Sequence, residues 1–420
     1  MFDVFKNAWK VKDLRKKIIY TLMMLLVIRL GAHIPVPGVN NALLKESFGN
    51  NMAMSMYSLI AGGGLENMAI FSLGIGPYIN ASIIMQLLTV AIPKLEQLSK
   101  EGEDGRKKLS KYSRNLTIVL ALIQASGTVY SLRGVFVENN LWLYIIAVVA
   151  MVAGSTFIMW IGEQITANGV ANGSSLIIFV NIISNLPSAI TSLWLTATGS
   201  GVAGWVKVIL LLIIFVAVIV FVILVQEGER RLPVQYSKKM VGRKMYGGQS
   251  TFIPIKVNTA GVISIIFAIS LLQFPQQIGQ FIPNKAAWFE KLIEYLQISH
   301  PVGAVLYVLL IFFFSFFYTS IVFNPVEIAD NMKKNGGFIP GIRPGQPTAN
   351  YISRVSSRIT LAGAICYSVI ALVPVLFQWI FKMNVGFGGT TLMIVVGVCL
   401  DTIKQMESQL LMRHYKGFLS

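Results

Sequence analysis

Ten mainly apolar stretches, separated by polar or basic ones, run along the chain near 18–33, 74–92, 115–132, 142–162, 174–195, 206–225, 258–275, 302–323, 359–380 and 389–404. Each approaches the roughly 20 residues that an α-helix needs to cross the hydrocarbon core of a bilayer, so the pattern predicts ten membrane-spanning helices. Two are weaker than the rest. The fifth contains Asn181, Asn185 and Pro187, and the tenth opens with Gly386, Gly388 and Gly389 and ends at Asp401. Another apolar stretch, 52–61, has only ten residues and stops at Gly62-Gly63-Gly64. It is too short to span, so it either lies at the outer membrane interface or re-enters the protein. Gly74-Ile75-Gly76-Pro77 then puts flexible and helix-starting residues at the head of the second span. A short helix, a break and a full span suit a movable stopper.

Composition narrows the class. Of 420 residues, 55% are hydrophobic and 13% charged, with a mean hydropathy of +0.66. Soluble domains carry about 25% charged residues, so a string of solvated domains is excluded and a polytopic all-α membrane protein is expected. The 35 Lys and Arg outnumber the 18 Asp and Glu, for a net charge of +17. With the N-terminus inside, segments 1–17, 93–114, 163–173, 226–257, 324–358 and 401–420 hold 28 of the basic residues. The outer side holds six: Lys45, Arg133, Lys207, Lys285, Lys291 and Lys382. Cytoplasmic loops carry such an excess, and one miscounted span would swap sides for every later loop. Both termini are therefore expected in the cytoplasm. The opening FDVFKNAWKVKDLRKK sets Phe2, Phe5 and Trp9 at helical spacing among lysines, which predicts an amphipathic helix lying on the membrane surface. The first apolar run is long for a cleavable signal and lacks a small-x-small site, so no such signal is expected. Cys366 and Cys399 lie inside apolar runs and are expected to be small buried side chains rather than disulfide partners or metal ligands.

Loop lengths suggest symmetry. Division at an outer hinge loop, 196–205, leaves residues 1–195 and 206–420 with five spans each, the second half inverted relative to the first. Loops 34–73 and 226–257 then correspond, as do 93–114 with 276–301 and 163–173 with 381–388, whereas 133–141 and 324–358 do not match. Inverted repeats place a pathway between the halves.

What the spans lack also counts. Proton pumps and ion-coupled transporters need ionisable groups at depth, and the one clear case is Arg29, near His33 at the outer end of the first span. It either snorkels as an anchor or pairs with a neighbouring helix. There is no phosphate-binding G-x-x-x-x-G-K-[ST] loop, no H-E-x-x-H among His33, His300 and His414, and no dinucleotide pattern after Gly62-Gly63-Gly64. The chain is expected to be neither an enzyme nor a holder of cofactor or metal, with its energy source outside the chain or in the membrane potential. A small-solute secondary transporter would need polar groups at the midplane, and an intramembrane enzyme convergent His, Asp or Ser groups; the spans are poor in both. A non-catalytic scaffold leaves the stopper unexplained.

The basic segments 100–114 and 226–257 project Gly, Tyr and clustered Lys/Arg, including Arg230-Arg231, Lys238-Lys239 and Arg243-Lys244. Charge alone suits either anionic lipid headgroups or a polyanionic partner such as RNA or an acidic protein surface.

Several stretches carry a family resemblance: IPVPGV at 34–39, LGIGPYINASIIMQLL at 73–88, KEGEDGRKK at 100–108, WIGEQITANGVANG at 160–173, QSTFIPIKVNTAGVI at 249–263, FNPVEIADNMKKNGGFIPGIRPG at 323–345 and FGGTTLMIVV at 387–396. Seven motifs in order on ten spans identify the chain as similar to the SecY family, the channel subunits of the bacterial protein-translocation machinery. The resemblance implies two pseudo-symmetric halves of five helices around an hourglass pore. It implies a waist closed by a ring of apolar side chains, falling on Ile75, Ile79, Ser174, Ile178, Ile266 and Ile394. Both 75/79 and 174/178 are i,i+4 pairs sharing a helix face, and Ser174 departs from the commoner isoleucine, predicting a slightly less apolar seal.

The resemblance also implies a plug at about 55–70, with Tyr57, Leu59, Ile60, Gly62, Gly63, Gly64 and Leu65. It implies a lateral gate between the second and third spans and the seventh and eighth, where Gln124 and Asn258 match polar positions; each also fits an ordinary helix-packing amide. Loops 226–257 and 324–358, with Arg243, Lys244 and Arg343, match a docking surface for the ribosome and the SecA motor, although Arg343 also sits in a loop-shaping IPGIRPG turn. SecE and SecG are the implied membrane partners, signal sequences and nascent chains the implied cargo, and a bacterial plasma membrane the implied location.

Overall fold

The computed structural model describes the chain except for residues 1, 41–43, 45–67, 139, 200, 237–238, 242–243, 247–249, 258–261, 280–286, 382–388 and 417–420. Among the described residues, each of the ten predicted spans overlaps a helix. These helices are α2 (Lys12–Gly31), α3 (Gly76–Ala91), α5 (Glu103–Ser131), α6 (Leu141–Asn168), the pair α7 (Gly173–Ser184) and α8 (Leu186–Gly199), α9 (Gly201–Glu227), α10 (Ile263–Gly279), α12 (Pro301–Val322), α14 (Gln346–Phe381) and α15 (Gly389–Lys416). Outside them lie α1 (Phe2–Lys10), α4 (Pro93–Lys100), α11 (Ala287–Tyr295) and α13 (Pro325–Lys334). Among the described residues, Leu141–Asn168, Gly173–Gly199, Gly204–Glu227, Pro301–Lys334 and Gln346–Val373 are long and apolar enough to cross a membrane unaided. The apolar part of α10 runs only from Ile263 to Gln276.

Helix starts follow local chemistry. Asn140 accepts a hydrogen bond from the Trp142 N–H (3.1 Å) at the head of α6, and Asn324 accepts from Val326 and Glu327 at the head of α13. Such caps satisfy amides that have no partner inside the helix. Pro77, Pro93, Pro301 and Pro325 occupy first-turn positions, where proline gives up no hydrogen bond. The fifth span, weaker by composition, is interrupted at Asn185, two residues before Pro187.

The connections differ from simple loops. Expected loop 93–114 is the short helix α4, bent 101° from α3, followed by the first turns of α5. The break at KEGEDGRKK rests on two glycines. Gly102 has φ +80°, and a Cβ on Gly105 would lie 1.8 Å from the Leu98 carbonyl. Segment 163–173 is shorter than read, because α6 continues to Asn168, and α14 begins at Gln346 rather than near 359.

Within the basic loop 226–257 the chain forms β1 (Glu229–Tyr236), β2 (Lys239–Val241), β3 (Lys244–Tyr246) and β4 (Ser250–Lys256), a feature that the all-α reading did not contain. β1 pairs antiparallel with β4, Leu232 opposite Ile253, and on its other edge with β5 (Gly337–Phe338). Leu232, Val234 and Ile255 face a core completed by Met332, Ile339 and Ile352, while Arg231 and Phe252 face out, the guanidinium lying over the ring. That alternation is the strand period, hidden within a stretch legible mainly as basic. The cysteines are a correction too. Cys366 is half-buried and Cys399 exposed.

By internal packing the chain forms two units: Met1–Val208 with Gln273–Ile293 and Val398–Ser420, and Ile209–Leu272 with Glu294–Gly397. The first unit contains an apolar core of Val36, Leu44, Met68, Leu73, Ala121, Val129, Val135, Phe136 and Met151 among others. The second contains the core beneath the sheet.

Candidate functional site

In the first unit, α6 and α7 form a tight hairpin built on glycine. A Cβ on Gly173 would lie 2.0 Å from the Gly162 carbonyl, and one on Gly169 would lie 2.4 Å from the Ile165 carbonyl and 2.6 Å from Thr21 Oγ1. The first turn of α7 is pressed onto α6 as a result. Asn172 caps it, accepting from the backbone of Ser174 (3.1 Å) and Ser175 (3.3 Å), and the Gly173 N–H donates to Thr166 Oγ1 (2.9 Å). These glycines and the cap, in WIGEQITANGVANG, are the site-building residues that residue-type reasoning passed over. Their signal was the repeated Asn-Gly.

The apolar residues meet at this hairpin. A Cβ on Gly162 would stand 3.2 Å from Ile177 Cδ1, 3.7 Å from Ile75 Cδ1 and 3.8 Å from the Ser174 amide, so Ile75 and the start of α7 converge on one glycine. Ile75 is buried at the N-cap of α3, Ile79 is half-buried one turn on, its N–H donating to the Ile75 carbonyl (3.1 Å), and Ile178 is buried on α7. Ser174 Oγ donates to Asn172 Oδ1 (2.7 Å). The hydroxyl is therefore spent on its own helix cap, which removes most of the polarity that Ser174 would otherwise add. Beside this cluster is a cavity of about 310 Å³ lined by Tyr78, Ser110, Arg114, Glu163, Asn172 and Ser174 among others. Arg114 and Glu163 form an ion pair across it at 2.7 Å. An apolar point thus borders an open cavity that carries an ion pair.

The segment leading into α3 is held on both sides. Val36 N–H donates to the Met68 carbonyl (2.9 Å) and Ile70 N–H to the Ile34 carbonyl (3.0 Å). Gly154 lets Ile70 lie against α6, where a Cβ would come within 2.1 Å of its carbonyl, and Ser155 Oγ donates to the Gly74 carbonyl (3.2 Å). Tyr57, Leu59, Ile60, Gly62, Gly63, Gly64 and Leu65 lie outside the described residues. The residues on either flank of 45–67, Leu44 and Met68, are fully buried in the first unit's core.

In the second unit, Ile266 is half-buried on α10 and Ile394 buried on α15. The two helices pack where a Cβ on Gly397 would lie 2.5 Å from Val262 Cγ2. Ile266 is one turn from Val262, its N–H donating to the Val262 carbonyl (3.1 Å), and Ile394 is one turn before Gly397. Gln124 is buried on α5, with its carbonyl accepting from Thr128 Oγ1 (2.9 Å); Asn258 lies outside the described residues.

Of the basic candidates, Arg343 is exposed on a turn between Gly341 (φ +80°) and Gly345 (φ +100°). Ile339 and Ile342 pack into the core under the sheet, and Thr348 Oγ1 donates to the Arg343 carbonyl (2.8 Å). The backbone is fixed and the guanidinium presented outward. Lys244 belongs to β3 and Arg243 lies outside the described residues.

Comparison with known proteins agrees with this architecture. The SecY family model matches residues 69–403. The chain is 45% identical over 441 residues to the protein translocase subunit SecY of Streptomyces galbus, covering all of both chains. The corresponding subunits of Halalkalibacterium halodurans and Aquifex aeolicus are 44% and 42% identical, again over their full lengths. Among solved structures, a protein-conducting channel superposes with a TM-score of 0.63 at 19% identity, over 93% of this chain and 91% of that one. Sec61 in the canine ribosome-channel complex from the endoplasmic reticulum gives 0.61 at 18%, with the same coverage. Together the full-length identity and the shared ten-helix fold establish that the chain belongs to the SecY family of protein-translocating membrane channels.

Proposed function

We propose that this channel passes unfolded secretory polypeptides across a bacterial plasma membrane and releases apolar segments sideways into lipid. As a SecY-family member it is a multi-pass protein-conducting channel and not an enzyme, and the small-solute transporter reading has no support. The observation that carries the mechanism is the convergence of Ile75 and the first turn of α7 on Gly162, beside a cavity that holds the Arg114–Glu163 ion pair.

A passing polypeptide offers no constant group to hydrogen-bond. A useful seal must therefore be apolar, deformable and non-adhesive, and an apolar constriction also hinders water and ions by dewetting. Ile75, Ile79, Ser174, Ile178, Ile266 and Ile394 form that ring, with residues 1–195 and 206–420 as halves joined at 196–205. The segment around 55–70 plugs the outer side, and the buried flanks Leu44 and Met68 support its action as a tethered stopper. The lateral gate opens beside Gln124 and Asn258, and a signal sequence opens it only by binding the open state better than the closed one. Both termini are cytoplasmic, supported by the excess of Lys and Arg on that side.

Arg243, Lys244 and Arg343 dock the ribosome, including its RNA, or the SecA motor, and anionic lipids neutralise the remaining basic surface. SecE and SecG complete the membrane complex. Each relative is described as a translocase subunit, and one structural neighbour stands in a ribosome-channel complex.

A photo-crosslinking residue at Ile79, and separately at Ile266, in membranes holding a stalled secretory chain tests the ring. Crosslinks from both positions, lost when the stalled chain lacks its signal sequence, are expected. Silence at both, with the chain crosslinking elsewhere on the protein, would remove these residues from the pathway.

A further inference from the structure

We propose that Arg29 is a fixed positive charge beside the narrow point that makes the open channel discriminate against cations. The inference rests on the channel reading above and on Ser174 and Ile178 lining the constriction. Asn181 follows them at i+7 and i+3, so all three share one face of α7, Asn181 lying farther from the α6–α7 hairpin. Asn181 is 4% exposed, and its Oδ1 accepts a hydrogen bond from Arg29 Nη2 at 2.6 Å. Sequence reading left two fates open for Arg29, and the structure selects pairing with a neighbouring helix.

The break in the fifth span explains why a guanidinium is tolerated there. α7 stops at Ser184 and Asn185 caps it, with Ser184 Oγ (2.8 Å) and Asn185 Nδ2 (3.3 Å) both donating to the Asn181 carbonyl. A helix C-terminus carries partial negative charge and favours a nearby cation. Just past the end of α2, His33 Nδ1 lies 2.9 Å from the Arg29 carbonyl. Arg29 itself is half-buried rather than enclosed. Charge-bearing half-helix ends at membrane depth are a general device for handling ions, and an arginine at a narrow passage raises the barrier for cations.

The test uses the purified translocase complex in planar bilayers, opened with a synthetic signal peptide, with the reversal potential read across a KCl gradient. The wild type is expected to prefer chloride. Arg29→Gln should lower the chloride-to-potassium permeability ratio roughly fivefold, the scale of one charge acting through partly hydrated protein, while Arg29→Lys should stay within about twofold. A purely structural clamp would alter stability and leave the ratio alone, so an Arg29→Gln complex with wild-type thermal stability and an unchanged ratio overturns the proposal. If that variant fails to assemble, the wild type still decides. Its chloride preference should fade from about 0.05 to about 1 M KCl as the Debye length shrinks, and a preference indifferent to salt overturns the proposal. Absence of any peptide-dependent conductance in the wild type would instead overturn the underlying channel reading, a distinct result.

Discussion

Glycines decide most of the geometry at the scale of single residues. Gly173 and Gly162 both lie at the α6–α7 hairpin, yet they face different neighbours. A Cβ on Gly173 would meet a backbone carbonyl at 2.0 Å, which cannot move without separating the helices; one on Gly162 would meet the end of the Ile177 side chain at 3.2 Å, which can rotate away. Gly173→Ala should therefore cost about 3 kcal/mol, the upper range for overpacking. Gly162→Ala should stay within about 1 kcal/mol, because the higher helix propensity of alanine offsets a small shift. Thermal unfolding of the two variants in detergent checks the contrast, and equal losses would contradict the packing given for the hairpin. Asn172 and Ser174 form a second pair whose meaning is geometric. Read alone, Ser174 is a polar lapse in an apolar ring; beside Asn172 it belongs to a helix cap.

At the scale of elements, the small sheet and the turn before α14 form a platform with a separable surface and core. Ile352 is fully buried beneath β1 and β4, whereas Arg343 is exposed on its glycine-bounded turn. Ile352→Ala should destabilise the platform by about 2–5 kcal/mol, the usual cost of truncating a buried isoleucine, and hydrogen exchange along β1 and β4 should rise. Arg343→Ala should leave that exchange unchanged while weakening binding of ribosomes or of the motor to the reconstituted protein. Unaltered affinity after Arg343→Ala would remove this side chain from docking and leave it the loop-shaping role that its sequence context also allowed. The amphipathic first turns of α14 show why the loop was read as too long. Thr348, Ala349, Ile352 and Ser356 are buried in a stretch too polar to register as a span.

For the whole molecule, the sharpest sequence-level claim is orientation, since 28 basic residues on one side against six on the other commits every connection. Single cysteines introduced at Arg343 and at Arg133, in a chain with Cys366 and Cys399 changed to serine, should label from opposite faces of the membrane. Arg343→Cys should react from the cytoplasmic face and Arg133→Cys from the outer one. Labelling of both from one face would mean a miscounted span between them. The native cysteines must be replaced first because Cys399 is exposed and Cys366 half-buried.

Much of the architecture was legible because crossing a bilayer constrains sequence directly. Some twenty apolar residues are needed per helix and flanking charge reports sidedness, so the ten helices, and the weakness of the fifth, could be read from local pattern. The candidate site was legible only through motif resemblance, since an isoleucine that lines a constriction is chemically the same as one that faces lipid. Sequence by itself determined the membrane class, the span count and the one clear charge at depth, Arg29. Tertiary structure decided the rest: that Gly162 gathers Ile75 with the start of α7, that Asn181 receives Arg29, and that Leu232, Val234 and Ile255 back a basic loop with a folded core. Each of these depends on which helices and strands become neighbours. That is set by close backbone approach and side-chain packing between segments distant in the chain, and local periodicity carries no record of it.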